Sequence, residues 1–263
     1  MKKSLFKLSL IAIAAISLPF AVFAQDEEAE APGDLTDIWM VVVKPGMEAE
    51  FDEAMGAHLQ FRADAGESRS WDSYRVAVGH DIRPIGIRSC CFDWADLDTY
   101  REEDNEKGLG ENFNENVHQY VDHYHHYLEE VDWENSHWPE GSNGPYFGVT
   151  TWYLKEGRGP ESSQAMEKMS QLAKNEGWSD IEGNNWLWLS RIGGQDALMI
   201  VSSYANYADM APPEQNFYQF AVENLGEEEA DQMFDDFNSG FSSSDYTIWV
   251  HDEELSTPDD GED

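Results

Sequence analysis

The sequence predicts an α+β fold of two similar halves, each running strand-helix-strand-strand-helix-strand with antiparallel sheets. Short matches recur along the chain at one spacing: Lys44-Pro45-Gly46 with Lys155-Glu156-Gly157, Ala54-Met55 with Ala165-Met166, and Gly66 with Gly177. Trp94-Ala95-Asp96-Leu97 matches Tyr207-Ala208-Asp209-Met210 at a spacing two residues longer. A period this long implies two homologous domains or half-domains, not a solenoid. The apolar pattern also switches between the period of strands and that of helices in the same order in both halves. With 41% hydrophobic and 13% aromatic residues in a chain of 263, there is ample material for a packed core.

Met1–Ala24 reads as a removable signal peptide. Lys2, Lys3 and Lys7 precede a mostly apolar run of roughly 15 residues, Leu8 to Val22, and Val22 and Ala24 suit the positions a signal peptidase inspects. Residues 25–36 form an acidic leader expected to be disordered. The first half, 37–137, opens with an apolar strand, Ile38 to Lys44, stopped by Pro45-Gly46. Glu48 to Ala65 follows as a helix, with Phe51, Met55, Leu59 and Arg62 on one stripe and Gly66 as its stop. Trp71–Gly79 and Ile85–Phe92 are strands, the first with Tyr74, Val76 and Val78 alternating. Asp93 and Asp96 can cap a short helix before an acidic, Asn-rich stretch (101–116); a second helix ends at Asn116–Gln119, and Tyr120–Val131 is the last strand. Residues 138–144 are the linker.

The second half, 145–255, repeats the order. Tyr146–Leu154 is a strand, and Pro160–Asn175 is a helix with proline in its first turn. Asn185–Arg191 and Ala197–Ser203 are strands joined by the Gly193-Gly194 turn. Helical material including Glu227–Phe237 leads to a closing strand, Tyr246–Asp252, and residues 256–263 are an acidic tail.

Charge sets limits on partners. Against 53 Asp and Glu stand 16 Lys and Arg, a formal charge of −37. Such a surface repels polyphosphates and anionic lipid heads, so neither nucleic acid nor a membrane surface is an expected partner. It fits salty surroundings, where screening weakens self-repulsion. No phosphate-cradling loop, dinucleotide fingerprint, metalloprotease helix or nucleophile elbow is present in the sequence. Export would place Cys90 and Cys91 in an oxidising compartment. Neighbours in a strand face opposite ways, so they are expected to pack as two small residues, with a strained bond between the two as the rare alternative, and not to staple distant segments.

The element order is the ferredoxin-like split βαβ pattern. Two such halves in one chain resemble the dimeric α+β barrel superfamily, which includes the antibiotic-biosynthesis monooxygenases, with the usual two subunits fused. The resemblance spans Ile38 to Glu254 and rests on element order, strand lengths and the internal matches. It implies two sheets paired into a barrel that holds a small organic molecule or haem. Some members of the superfamily oxidise phenols or quinols with molecular oxygen and no cofactor. No catalytic signature of the superfamily can be matched residue by residue.

His118 to Tyr127 is the most unusual local sequence. In a strand, His123, His125 and Tyr127 share one face, while Asp122, Tyr124 and His126 share the other. Two imidazoles begin a metal or haem site, but zinc needs three or four ligands; His118, His58 and His80 are the available third ligands. The ordinary reading of such a tract is a solvent-washed His/Tyr face. His58 aligns with Met169 and is expected to be a neutral, hydrogen-bonded core histidine. Trp39, Trp152, Trp186, Trp188 and Trp249 sit at strand positions where rings either pack the core or receive a flat ligand. Arg75, Arg88 and Arg191 either bind a carboxylate ligand or neutralise nearby acids.

These observations lead to one expectation: an exported, soluble barrel protein, periplasmic or secreted, monomeric or homodimeric, that binds a small aromatic or apolar molecule between its sheets. His123, His125 and Tyr74 are its candidate catalytic groups, and Trp39, Trp152, Trp186, Trp188, Trp249, Arg75 and Arg88 its candidate ligand contacts. No cofactor and no metal site is expected, with haem or a divalent metal kept as alternatives. The rival readings are a non-catalytic module with a filled interior, and a secreted carbohydrate-active protein, which needs two facing carboxylates.

Overall fold

The structure, a computed structural model, describes residues 33–257. The expected signal peptide and most of the expected leader and tail lie outside those residues. The first half comprises β1 (Leu35–Val43), α1 (Glu48–Asp64), β2 (Asp72–Val78), β3 (Pro84–Phe92), α2 (Asp96–Lys107), α3 (Leu109–Asn116) and β4 (Val121–His137). The second comprises β5 (Tyr146–Leu154), α4 (Gly159–Asn175), β6 (Trp186–Ile192), β7 (Ala197–Tyr204), α5 (Phe217–Leu225), α6 (Glu227–Ser239) and β8 (Phe241–His251). All eight strands pair antiparallel in a closed barrel of order β1-β3-β2-β8-β5-β7-β6-β4. Each half contributes the same run, β4-β1-β3-β2 and β8-β5-β7-β6. The β2–β8 and β4–β6 pairings are the two seams. The fold is thus two ferredoxin-like halves in one α+β barrel, as the sequence predicts.

Strand alternation sorts side chains to the two faces of this wall. Outward, Val41, Val43, Ile85 and Ile87 meet Phe51, Met55 and Leu59 of α1 in one core. Trp186, Trp188 and Leu198 meet Met166, Met169 and Leu172 of α4, with Phe220 and Phe237 from α5 and α6, in another. Inward, Val131, Leu187, Leu189 and Met199 form a third cluster inside the barrel. Among the described residues, no helix is long and apolar enough to cross a membrane.

Several boundaries differ from expectation, each for a tertiary reason. Leu35 and Thr36, assigned to the leader, belong to β1 and are fully buried, because β3 and β4 flank them. The acidic stretch 101–116 is helical throughout, broken only by left-handed Gly108. α2 buries none of its residues, which is why no apolar stripe marked it. β4 continues past Val131 to His137, since Asp132 and His137 pair with Trp188 and Trp186 across a seam. β8 starts at Phe241, where it runs beside β5. Ser256 and Thr257, assigned to the tail, dock on β2 and the residue before it: the Ser73 and Trp71 amides donate to their hydroxyls at 2.9 and 2.8 Å. Cys90 and Cys91 are bonded to each other across a cis peptide, the rarer of the two arrangements expected of them, and do not pack as two separate thiols.

Candidate functional site

A cleft of about 1520 Å³ opens on the outer face of the second sheet, beneath α4, α5 and α6. The strands supply its floor: Trp152 from β5, Trp186 and Trp188 from β6, and Ile200 from β7. Met169 and Ala173 come from α4, Phe217 from α5, and Phe234 and Phe237 from α6. Gly177, at φ 86°, turns the chain after α4 and places Trp178 on the lining, 5.4 Å from the Phe217 ring. Trp152 and Trp188 lie 5.9 Å apart, centroid to centroid.

The polar atoms at the floor are spoken for. Trp188 Nε1 donates to Ser170 Oγ at 3.0 Å, and Trp186 Nε1 to the Asn135 carbonyl at 2.8 Å. Asn185 binds Ser203 through both its amide atoms, at 2.7 and 3.0 Å, and so fixes the end of β7. The charged residues on the lining are Glu140, Glu182 and Asp209; no Lys, Arg, His or Cys is among the lining residues. This is an aromatic slot of negative character, suited to a flat neutral or cationic molecule. To haem it offers neither imidazole nor thiolate for the iron and no cation for the propionates.

Of the residues singled out in the sequence, Trp152, Trp186 and Trp188 come together here. The others lie elsewhere. Trp39 sits on the outer face of the first sheet, stacked on His126 at 4.1 Å. Trp249 points into the barrel, where a Cβ on Gly86 would stand 3.4 Å from its ring. Arg75 holds Asp52 at 2.8 Å and Asp252 at 2.5 Å, so it neutralises acids. His123 and His125 share a face as expected, with rings 5.6 Å apart, but both are exposed, and His123 Nδ1 sits 2.7 Å from Asp122. His58, His80 and His118 do not complete a site with them. Among the described residues, no group of three or more His, Cys, Asp or Glu is placed to hold a metal ion.

Tyr74 lies in the barrel interior against Phe147 and His251. Burial, assisted by Asp72, pushes its pKa up to about 12, so it stays protonated and serves as a donor rather than a base. His58 is a buried core histidine, 2.8 Å from Asn112 Oδ1 through Nδ1 and 3.2 Å from Arg62 Nη1 through Nε2. Burial, with Arg62 beside it, holds its pKa below the ordinary histidine value. The neutral ring, donating at Nδ1 and accepting at Nε2, satisfies both contacts.

In the first half the corresponding sheet face carries a plug. Arg69 lies over Trp71 at 4.1 Å, Tyr100 at 4.7 Å and Phe92 at 5.3 Å, and pairs with buried Asp37 at 2.7 Å. Trp178, Phe217, Phe234 and Asn185 were not among the residues marked in the sequence. The available signals were Trp178 directly after the Gly177 stop and the Asn184-Asn185 pair ahead of a strand.

No protein-family profile and no curated protein matches the sequence. Solved structures do. A candidate monooxygenase from Fusobacterium nucleatum subsp. nucleatum superposes with TM-score 0.50 and 11% identity, covering 84% of this chain and 93% of its own. One from Lactobacillus acidophilus gives 0.49 and 10%, covering 83% and 94%. An anthrone oxidase-like protein gives 0.48 and 13%, covering 86% and 94%. At 11% identity the likeness to the Fusobacterium structure speaks for the fold alone, and it agrees with the barrel described above.

Proposed function

We propose that this protein is exported and binds a small, flat, neutral or cationic aromatic molecule in the second-half cleft. One observation carries the reading: a large slot lined by Trp152, Trp178, Trp186, Trp188 and Phe217 whose charged lining is wholly acidic. Its volume is above the roughly 300–1,000 Å³ of ordinary ligand pockets, so a multi-ring molecule fits better than a single ring. The barrel fold shared with a candidate monooxygenase supports asking whether the bound molecule is oxidised. His123, His125 and Tyr74 lie outside the cleft, so oxidation there would begin from an electron-rich ring bound among aromatic walls, without an imidazole base.

The neutral fluorescent amine N-phenyl-1-naphthylamine tests the binding. Saturable enhancement, abolished in Trp178→Ala and weakened in Phe217→Ala, supports the proposal; no enhancement, or enhancement equal in all three proteins, overturns it. Oxygen uptake with 1,5-dihydroxynaphthalene then separates a binder from an oxidase. Recovery from the host of a chain beginning at Gln25 supports export.

A further inference from the structure

The chain is rich in acids, and its arginines record that. Arg62, Arg69, Arg75, Arg83, Arg101 and Arg158 each hold a carboxylate at 2.5 to 2.8 Å. Arg88 and Arg191 do not: among the described residues, neither has a carboxylate oxygen within 4.0 Å. With 53 acidic residues against 16 basic, an unpaired arginine is the exception. Both exceptions face the barrel lumen.

The strand register joins them in one patch. Arg88 stands opposite Ile38, Ile38 opposite Tyr127, and Glu129 opposite Arg191. Arg191 lies over the Tyr127 ring at 4.6 Å; its Nη2 donates to Met199 Sδ, and its buried Nε has no acceptor. Two carboxyls lie nearby, Glu129, 5% exposed, and Asp72, which stands opposite Arg88 and lies 3.2 Å from His251 Nε2; neither comes within 4.0 Å of either guanidinium. Packing does not call for a cation here. The first half places Arg88 opposite Ile38, whereas the second half places Val201 opposite Val149. Ile38, Arg88, Arg191 and Trp249 keep part of their surface exposed inside a closed ring of strands, so this part of the lumen admits solvent.

We propose that the barrel lumen binds a small organic carboxylate, its charge met by Arg88 and Arg191 and its apolar body against Ile38, Met40 and Trp249. A guanidinium presents parallel donors that match the two oxygens of a carboxylate. The field of the whole chain repels anions. A ligand that adds apolar burial to the ion pair is therefore favoured over a bare inorganic anion. This site is separate from the cleft and does not depend on the cleft having a ligand.

Calorimetric titration with acetate, hexanoate, benzoate and 2-naphthoate, with benzamide as the uncharged control, tests it on the wild-type protein, Arg88→Gln, Arg191→Gln, the double Gln variant and Arg88→Lys. The expected result is saturable binding of hexanoate, benzoate or 2-naphthoate, stronger than acetate, and no binding of benzamide to Trp178→Ala, in which the cleft is altered. Binding should weaken at least tenfold in each Gln variant, recover in part in Arg88→Lys, and stay unchanged in Trp178→Ala, which alters the cleft only. Circular dichroism establishes that each variant is folded. The proposal is overturned if none of the carboxylates binds, if benzamide binds Trp178→Ala as well as the carboxylates do, if the double variant binds like wild type, or if Trp178→Ala is the variant that loses carboxylate binding.

Discussion

Asp37→Asn is the sharpest test of how the first half is held together. The Asp37 carboxylate accepts from Arg69 Nη2 at 2.7 Å and lies 2.8 Å from His126 Nε2. Side-chain exposure is 7% for Asp37 and 9% for Arg69, so the pair is buried, while His126 at 44% is not. Removing one partner of a buried pair costs about 3–5 kcal/mol, because the other charge is stranded. Asn still accepts a hydrogen bond, and Trp71, Phe92 and Tyr100 still surround the guanidinium. Those contacts favour the lower end, about 3 kcal/mol. Urea unfolding at pH 7 measures it as a lower midpoint at unchanged slope. The acid limb gives a second reading. Burial alone would raise the Asp37 pKa, but the bonds from His126 and Arg69 prevail and hold it below its ordinary 3.8. The stability this carboxylate adds is therefore present above pH 3.8 and is lost as pH falls through its folded value, so the wild-type advantage shrinks there. Buried pairs are little screened, so 1 M NaCl should leave the pH 7 difference intact. A variant within about 1 kcal/mol of wild type at pH 7, or a difference that salt erases, would refute the buried-pair account.

Further outcomes are expected elsewhere in the chain. His58→Met, which installs the residue at the matching second-half position, should remove an acid sensitivity: with its folded pKa below 6.5, His58 weakens the wild type as pH falls beneath that value, and thermal melts at pH 7 and pH 5 will show it. Glu129 has the opposite sign. Burial raises its pKa above 4.5 against the pull of Arg88 and Arg191, so wild-type stability declines as pH rises through the folded value, and Glu129→Gln should be the more stable protein at pH 8. At Gly144 a Cβ would lie 2.2 Å from the Tyr204 carbonyl oxygen, so Gly144→Ala should cost about 1–3 kcal/mol in chemical denaturation. Because Gly144 and Tyr204 both line the cleft, the same variant should weaken N-phenyl-1-naphthylamine binding. With a formal charge of −37, the melting temperature should rise between 0.05 and 1 M NaCl, as the Debye length contracts to about 3 Å.

The sequence by itself determined the periodic elements and their order. Val41 and Val43 in β1, Phe51, Met55 and Leu59 in α1, and Met166 and Met169 in α4 carry a period that only one secondary structure satisfies, and each is buried as that period demands. The Gly193-Gly194 turn fixed the β6–β7 hairpin in the same local way, with both glycines at positive φ. Three of the named tryptophans, Trp152, Trp186 and Trp188, proved to share one cleft, but nothing in their spacing showed that it lay under the helices and not between the sheets. That was decided by which face of each strand the helices cover, a relation between segments far apart in the chain. The same holds for the Asp132–His137 extension of β4, whose polar residues become strand only because β6 pairs with them. It holds for Arg75 and Arg88 as well. Both are strand arginines in an acidic chain, and only the tertiary fold turned one toward two carboxylates and the other toward the barrel lumen. Local periodicity is set by steric and hydrophobic preferences within a few residues, whereas the partners of a charge depend on which distant strands closure brings alongside it.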